Sequence, residues 1–249
     1  MLLSIKNLSV SLGGKELLHG VNLNVADGAR QMLAGANGSG KTTLVQTIAG
    51  NPEYKVEKGK IIFEGNVGAN ENSPVNATES RANFHSPLQN ITRLSATERA
   101  LAGIFIGAQN VPEIPGLTMT SFLKHSMTAL AAASGRELLA GEFFTQLMAA
   151  RERLSIPESW MTRSVNVGFS GGERKRLMFM RLLLTRPKLA ILDEADSGVD
   201  ADTQKLFADV IHEMNQSGTA FLIVSHQEKF TQMVMPTAIT TLEHGKVVV

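Results

Sequence analysis

Apolar and polar residues alternate in the first part of the chain, as they do in half-buried strands. Apolar residues lie roughly two apart in residues 3–10 and alternate strictly in residues 21–25, and a short, largely apolar run occupies residues 31–34. These patterns predict strands, and residues 60–63 predict another. Residues 41–49 predict a helix between the last two of these strands.

The second half of the chain predicts a parallel sheet. Residues 189–192 and 220–224 are apolar at every position and are flanked by helical stretches, which is the pattern of central strands in a parallel α/β sheet. Residues 95–155 are mostly strong helix formers and predict a helical subdomain over 95–168. Residues 238–249 predict a hairpin. We therefore expect a single α/β domain over the whole chain.

A polar stretch separates these two halves. Residues 65–94 carry Asn at six positions among Gly, Ser and Pro, without apolar periodicity. This composition predicts a long polar loop or insertion on the surface.

Composition removes several classes of function. The 249 residues carry a formal net charge of +1 and no cysteine, which excludes disulfides, thiol catalysis and thiolate metal sites. The near-neutral charge gives no reason to expect a nucleic-acid partner. No run approaches the roughly 18 apolar residues of a membrane span, and the first residues lack a basic region followed by an apolar core. We therefore expect no direct membrane insertion and a location in the cytoplasm, or in the stroma or matrix of a eukaryotic organelle.

A phosphate-binding motif follows the third predicted strand. It fits the pattern G-x-x-x-x-G-K-[ST] and comprises Gly35, Ala36, Asn37, Gly38, Ser39, Gly40, Lys41, Thr42 and Thr43. Glycines let backbone N–H groups face a phosphate, and the helix that begins near Gly40 adds the positive end of its dipole. Lys41 then supplies charge to the β and γ oxygens, and the Thr42 hydroxyl reaches Mg²⁺. The strand before the motif and the helix after it are the context that distinguishes this loop from a simple Gly-rich turn. The expected ligands are ATP and Mg²⁺.

Two carboxylates follow the buried strand at residues 189–192. Asp193 is a candidate to hold Mg²⁺, directly or through water. Glu194 is a candidate to polarise an attacking water. An acidic cap at the end of a strand is the alternative interpretation, and the phosphate loop elsewhere in the chain favours the catalytic one.

A second candidate anion site precedes the helical run at residues 177–180. Its residues are Phe169, Ser170, Gly171, Gly172 and Glu173. A Ser followed by two glycines at a helix start offers N–H groups and a hydroxyl to an anion. Taken alone, the same residues are equally typical of a plain Ser cap. One chain thus holds two candidate phosphate sites.

In this order, the motifs resemble those of the nucleotide-binding domain of ABC-type ATPases over nearly the whole chain. The resemblance implies a P-loop parallel-sheet core, an antiparallel β subdomain and an α-helical subdomain. It also implies that residues 169–173 are the signature, which contacts the γ-phosphate held by the opposite subunit. Gln109 would sense Mg²⁺ and water, and His226 would contact the γ-phosphate. The loop at the dimer seam would contain Asp196, Ser197, Gly198 and Asp200.

Three segments are more specifically similar to the soluble ABC-type ATPases of the SUF iron–sulfur cluster assembly system. They are residues 112–117 after Gln109, residues 162–168 and residues 193–200. The resemblance implies SufB-like and SufD-like scaffold partners that dock near residues 110–116. Cluster ligands would then belong to the partners, in agreement with a chain that has no cysteine.

The mechanism implied by the resemblance is closure of two copies, head to tail, on two Mg-ATP, as a transient ATP-dependent self-dimer. Lys175 is a candidate latch that holds Glu194 away from the nucleotide in the resting monomer, and a solvated lysine is the alternative. The same motifs also fit the ATPase subunit of a membrane transporter. A nucleotide switch without hydrolysis is a third interpretation, and Glu194 argues against it.

Overall fold

A computed structural model of the protein describes residues 1–65, 88–108 and 112–248. The strands are β1 (Leu3–Leu12), β2 (Lys15–Val25), β3 (Arg30–Ala34), β4 (Tyr54–Glu64), β5 (Leu88–Asn90), β6 (Ile104–Gly107), β7 (Ile114–Thr118), β8 (Ser164–Val165), β9 (Leu189–Asp193), β10 (Ala220–Val224), β11 (Ala238–Glu243) and β12 (Lys246–Val248). The helices are α1 (Lys41–Ala49), α2 (Ala96–Leu101), α3 (Met119–Ala133), α4 (Ala140–Arg153), α5 (Gly171–Thr185), α6 (Ala201–Gln216) and α7 (Glu228–Val234), with a 3₁₀ turn at Glu158–Thr162.

The central sheet has the strand order β12-β11-β3-β10-β9-β6. Its strands are parallel except β12, which pairs antiparallel with β11. Every residue of β9 and β10 is buried. The structure therefore confirms the two fully apolar strands and the hairpin near the end of the chain.

Alternate side chains of the central strands pack into two hydrophobic cores, as the two-residue period of a strand requires. In β10, Ala220, Leu222 and Val224 belong to one core, and Phe221 and Ile223 belong to the other. Burial on both faces explains why this strand is apolar at every position.

The first part of the chain forms a second, antiparallel sheet with the order β2-β1-β4-β5. β5 lies inside the range predicted as a polar loop, and residues 66–87 of that range lie outside the described residues. Ile91 is fully buried and donates its N–H to the Ile61 carbonyl oxygen at 2.9 Å. The polar range therefore ends before Leu88, because residues 88–91 complete the edge of this sheet.

Not all of the range predicted as a helical subdomain belongs to that subdomain. Helices α3 and α4 pack against α5, but β6 lies within 95–168 and belongs to the central sheet, where it pairs with β9. Its residues Ile104 and Phe105 are buried. Because strong helix formers surround β6, the composition of this range did not indicate a short apolar strand.

The carboxyl ends of three adjacent parallel strands position the site. The loop after β3 contains residues 35–40, β9 ends at Asp193, and the residues after β10 include His226. Ligands of open α/β sheets bind outside the carboxyl ends of the strands. Among the described residues, no helix combines the length and the apolar character needed to cross a membrane.

Candidate active site

The phosphate loop has a backbone that only glycine adopts easily. Gly35 has a φ of 143° and Gly40 a φ of 108°. A Cβ at Gly35 would also overlap the carbonyl oxygen of Leu242 on the neighbouring strand. The loop therefore depends on glycine for both its conformation and its close approach to β11.

Lys41 lies inside this loop. Its Nζ donates to the carbonyl oxygens of Gly35 and Ala36, both at 2.8 Å, and its side chain is buried. Burial lowers the pKa of Lys41, while the charges of Glu194 and Asp193 oppose that shift. The ammonium group thus lies where the loop surrounds it and faces both acidic residues of the site.

The start of α1 offers polar groups that have no hydrogen-bond partner among the described residues. Gly40 precedes the helix without a side-chain cap, so N–H groups of the first turn are available to an anion. The Ser39 hydroxyl is buried and has no hydrogen-bond partner among the described residues. Thr42 is exposed at the same turn. These groups fit a bound phosphate.

Asp193 is suited to a cation. It is 4% exposed, and no described residue donates a hydrogen bond to its carboxylate. Burial raises the pKa of Asp193, as does Glu194, while Lys41 and His226 lower it. Among the described residues, no group of three or more His, Asp or Glu forms a metal cage. Mg²⁺ is typically held by one or two protein oxygens together with substrate phosphates, and Thr42 and Asp193 fit that role.

Glu194 has an unusual backbone. Its φ is 52°, which is rare for a residue other than Gly and occurs preferentially at functional sites. Its N–H donates to the Val224 carbonyl oxygen at 2.9 Å. Its Oε1 lies 3.7 Å from Nε2 of His226. The turn after β9 therefore brings this carboxylate next to the imidazole that follows β10.

The signature segment begins α5. The Ser170 Oγ accepts from the Glu173 N–H at 3.3 Å, and the Glu173 carboxylate accepts from the Ser170 N–H at 2.7 Å. Phe169 is buried, with the Arg163 guanidinium 3.7 Å from its ring centroid. A Cβ built at Gly171 meets no atom within 4 Å. The segment is therefore a rigid helix start with an open glycine surface.

Lys175 does not act as a solvated lysine. Its Nζ donates to the main-chain oxygen of Glu194 at 2.8 Å and to Oγ of Ser197 at 2.8 Å, and it also contacts the main-chain oxygen of Ser197. The structure thus connects Lys175 to the backbone of the turn that carries Glu194.

The proposed dimer-seam loop is only partly on the surface. Asp196 is 1% exposed and accepts a hydrogen bond from Ser225 Oγ at 2.7 Å, and burial is the main cause that raises its pKa. Asp200 caps α6 by accepting from the Thr203 N–H at 2.8 Å. Gly198 is exposed, and Ser197 is half-buried. The carboxylate of Asp196 therefore faces the interior of its own subunit. Gln109 lies outside the described residues.

Sequence reasoning missed the groups that support this loop. Gln204 Nε2 donates to Gln227 Oε1 at 2.7 Å, and Gln227 Nε2 donates to the Asp196 carbonyl oxygen at 3.0 Å. These contacts join residues far apart in the chain, and lone glutamines carry no local pattern that indicates them.

The fold and the site define an ABC-type ATP-binding cassette. Residues 18–197 match the family model described as ABC transporter. The chain therefore belongs to this family, and it is a nucleotide-binding ATPase.

Individual relatives show which members of this family the chain resembles. "Probable ATP-dependent transporter SufC" of Escherichia coli (strain K12) is 36% identical over 248 residues, which cover 99% of this chain and 91% of that protein. "Probable ATP-dependent transporter ycf16" of Antithamnion sp. is 32% identical over 100% of this chain and 90% of that protein. The resemblance to the SUF ATPases is thereby confirmed.

Solved structures share the fold. The ATP-binding subunit of an ABC transporter superposes with a TM-score of 0.78 at 20% identity, covering 100% of this chain and 89% of that one. The cassette MJ0796, described as a dimer in a post-hydrolysis state bound to ADP and Pi, gives a TM-score of 0.75 at 19% identity and covers 99% and 97%. Cassettes with this fold therefore include dimers.

Proposed function

We propose that the protein is the ATP-hydrolysing subunit of an iron–sulfur cluster assembly complex of the SufBCD type. Two copies close on two Mg-ATP and drive a conformational change in SufB-like and SufD-like partners. Similarity to SufC and ycf16 along nearly the whole chain supports the assignment. The observation that carries the mechanical part is a direct connection between the predicted docking segment and the residues on either side of the signature.

This connection consists of three contacts. Glu113 Oε1 accepts from Arg174, one residue beyond the signature, at 2.6 Å. Asn166 Nδ2 donates to the Pro112 carbonyl oxygen at 2.9 Å, and the Gly116 N–H donates to Ser164 Oγ at 3.1 Å. A partner that contacts the exposed segment at residues 113–116 is thus coupled to the start of α5, since both ends of the segment are fixed to residues 164–174.

The chemistry follows from what each side chain is placed to do. Lys41 and the first turn of α1 bind the phosphates of ATP, and Thr42 and Asp193 hold Mg²⁺, with Gln109 as a further ligand. Mg²⁺, when bound, neutralises phosphate charge. Glu194 orients water, and His226 lies beside it to contact the γ-phosphate. Most of the catalysis is then positioning and electrostatic stabilisation.

One subunit supplies only part of this site. Ser170 and Gly172 are proposed to contact the nucleotide of the second copy, and Gly198 lies on the exposed part of the seam loop. A lone subunit should therefore hydrolyse ATP slowly, and its specific activity should rise with protein concentration.

Co-expression with the SufB-like and SufD-like proteins tests the assignment. We expect a detergent-free complex whose ATPase activity exceeds that of the free subunit. Glu113→Gln should reduce this stimulation and leave the basal rate unchanged, whereas Glu53→Gln, an exposed carboxamide control, should change neither. Absence of a complex without detergent would contradict the assignment.

A transporter subunit is the second candidate. "Probable ABC transporter ATP-binding protein SpyM3_0208" of Streptococcus pyogenes serotype M3 (strain ATCC BAA-595 / MGAS315) is 34% identical over 99% of this chain and 87% of that protein. Co-purification with membrane-spanning partners that requires detergent would favour this candidate.

A further inference from the structure

A cavity of about 640 Å³ lies beside β6, the edge strand of the central sheet. Its walls come from α2, β6, α3 and the end of α5, and none of the candidate active-site residues that the structure describes lines it. Much of the wall is apolar, with side chains that include Leu101, Phe105, Leu123, Leu130 and Leu184.

Arg181 is a charged group of this wall whose guanidinium has no polar partner among the described residues. Its guanidinium lies 5.4 Å from the ring centroid of Phe105 and 5.3 Å from that of Phe122. No described residue makes a hydrogen bond or an ion pair with that guanidinium. Burial lowers its pKa, although an arginine remains charged in proteins. Arg181 is half-buried, and the two aromatic faces offer its charge cation–π contacts but no anion.

The neighbouring residues leave this charge uncompensated. Arg99 also lines the cavity, but its N–H groups donate to backbone carbonyls at the end of α1 and in residues 92–94. The other cationic lining residues are Arg186 and Lys188, and no Asp or Glu of the described chain contributes to the wall. The cavity therefore combines an apolar interior with positive charge.

We propose that this cavity binds a small monocarboxylic acid, with its apolar body against β6 and α3 and its carboxylate on Arg181. The planar guanidinium matches the two oxygens of a carboxylate in a bidentate pair. The cavity volume lies in the range of small-molecule sites, which are mostly apolar with a few placed polar groups. This site is independent of the function proposed above, because it shares no residue with the nucleotide site.

Three probes of equal chain length separate charge from hydrophobic burial. Octanoate, 1-octanol and octylammonium are titrated below their aggregation limits into the full-length protein by isothermal titration calorimetry. We expect octanoate to bind about ten-fold more tightly than 1-octanol, because one charge-assisted pair contributes that much. Octylammonium should bind most weakly of the three.

Matched variants locate the effect. Arg181→Met keeps an unbranched apolar stem and should remove the preference for octanoate over 1-octanol. Arg136→Met, the same change at an exposed residue that pairs with Glu142 outside the cavity, should leave the preference unchanged. Arg181→Lys preserves the charge and should keep the order of the three probes, so it tests the site even where Arg181→Met does not fold. Equal affinity for all three probes, or an unchanged preference in folded Arg181→Met, would overturn the proposal.

Discussion

The two helix starts that the sequence marks as phosphate sites differ in how they satisfy their N–H groups. The first turn of α1 follows Gly40, has no side-chain cap and has the buried, unpartnered hydroxyl of Ser39 beside it. The first turn of α5 is closed by a reciprocal capping box between Ser170 and Glu173. The capping box satisfies the N–H groups of Ser170 and Glu173, so the α1 start leaves more of its polar groups to a ligand than the α5 start does.

This difference assigns different tasks to the two segments. The α1 loop is suited to an anion within its own subunit, because Lys41 and the N–H groups of the first turn converge there. The α5 start keeps its shape without nucleotide and presents Gly171 to open space. This open position can be reached by a phosphate of another molecule, as the proposed site shared between two copies requires.

The largest expected effect comes from removing the charge at the α1 loop. Lys41→Met should lower the ATPase rate by about a hundred-fold or more, because a preorganised group that stabilises developing phosphate charge is lost. Phosphate release at saturating Mg-ATP measures it. Lys124→Met, on the exposed face of α3, serves as the control and should retain the wild-type rate. If the ATPase rate of Lys41→Met lies within a few-fold of the wild-type rate, the charge at this loop does not contribute to catalysis as proposed.

A charge at the α5 start should affect activity without affecting the fold. Gly171→Asp introduces a side chain into open space, and an acidic residue in the first turn is favourable for a helix. We expect unchanged or higher thermal stability and an ATPase rate at least about ten-fold lower, because the carboxylate repels a phosphate. Gly171→Asn is the neutral control and should be less impaired.

A glycine of the α1 loop should respond in the opposite way. Gly35→Ala places a methyl group against the Leu242 carbonyl oxygen, so stability and ATP binding should both fall. Differential scanning calorimetry of Gly35→Ala and Gly171→Asp, side by side, distinguishes a glycine that the fold requires from one that only a ligand requires. Equal losses of stability in the two variants would remove the distinction between the helix starts.

Two capping boxes allow a smaller effect to be measured. Ser95 caps α2 with Glu98 as Ser170 caps α5 with Glu173. Replacing either Ser by Ala should cost about 1 kcal/mol of the free energy of unfolding, or a fall in Tm of about 2–4 °C for a chain of this size. Only Ser170→Ala should also reduce the ATPase rate. If Ser95→Ala reduces it equally, the loss reflects stability alone.

The smallest expected effect concerns Asp193. Because burial raises its pKa in the folded state, the folded protein binds the proton more tightly than the unfolded chain does. Stability then falls as the pH rises from the usual aspartate pKa through the raised value, and the penalty is complete above it. Asp193→Asn should remove this part of the pH dependence and raise Tm at neutral pH. A pH series of thermal melts measures both, and a lower Tm for Asp193→Asn at neutral pH would contradict the sign.

Short sequence patterns predicted the local features of the fold. The bounds of α1 and the buried runs of β9 and β10 follow from local composition, and each motif lies at a strand or helix end, as its chemistry requires. Thr118 caps α3, because the Thr118 Oγ1 accepts from the Ser121 N–H at 3.2 Å.

Long-range contacts could not be predicted in the same way. The inward carboxylate of Asp196 depends on Ser225, which is 29 positions away, and the ion pair of Glu113 with Arg174 joins residues 61 positions apart. Sequence spacing carries no signal for such pairs. The position of β6 in the sheet was hidden for a related reason, because pairing with β9 outweighs the helical composition around it.

Mixing two inactive variants tests the shared pocket most directly. Lys41→Met retains the α5 start and Gly171→Asp retains the α1 loop, so a mixed dimer contains one intact pocket. Random pairing of equal amounts should restore up to about a quarter of the wild-type phosphate release, since half of the dimers are mixed and each has one of two pockets intact. A mixture that is no more active than its two components measured separately would contradict the account.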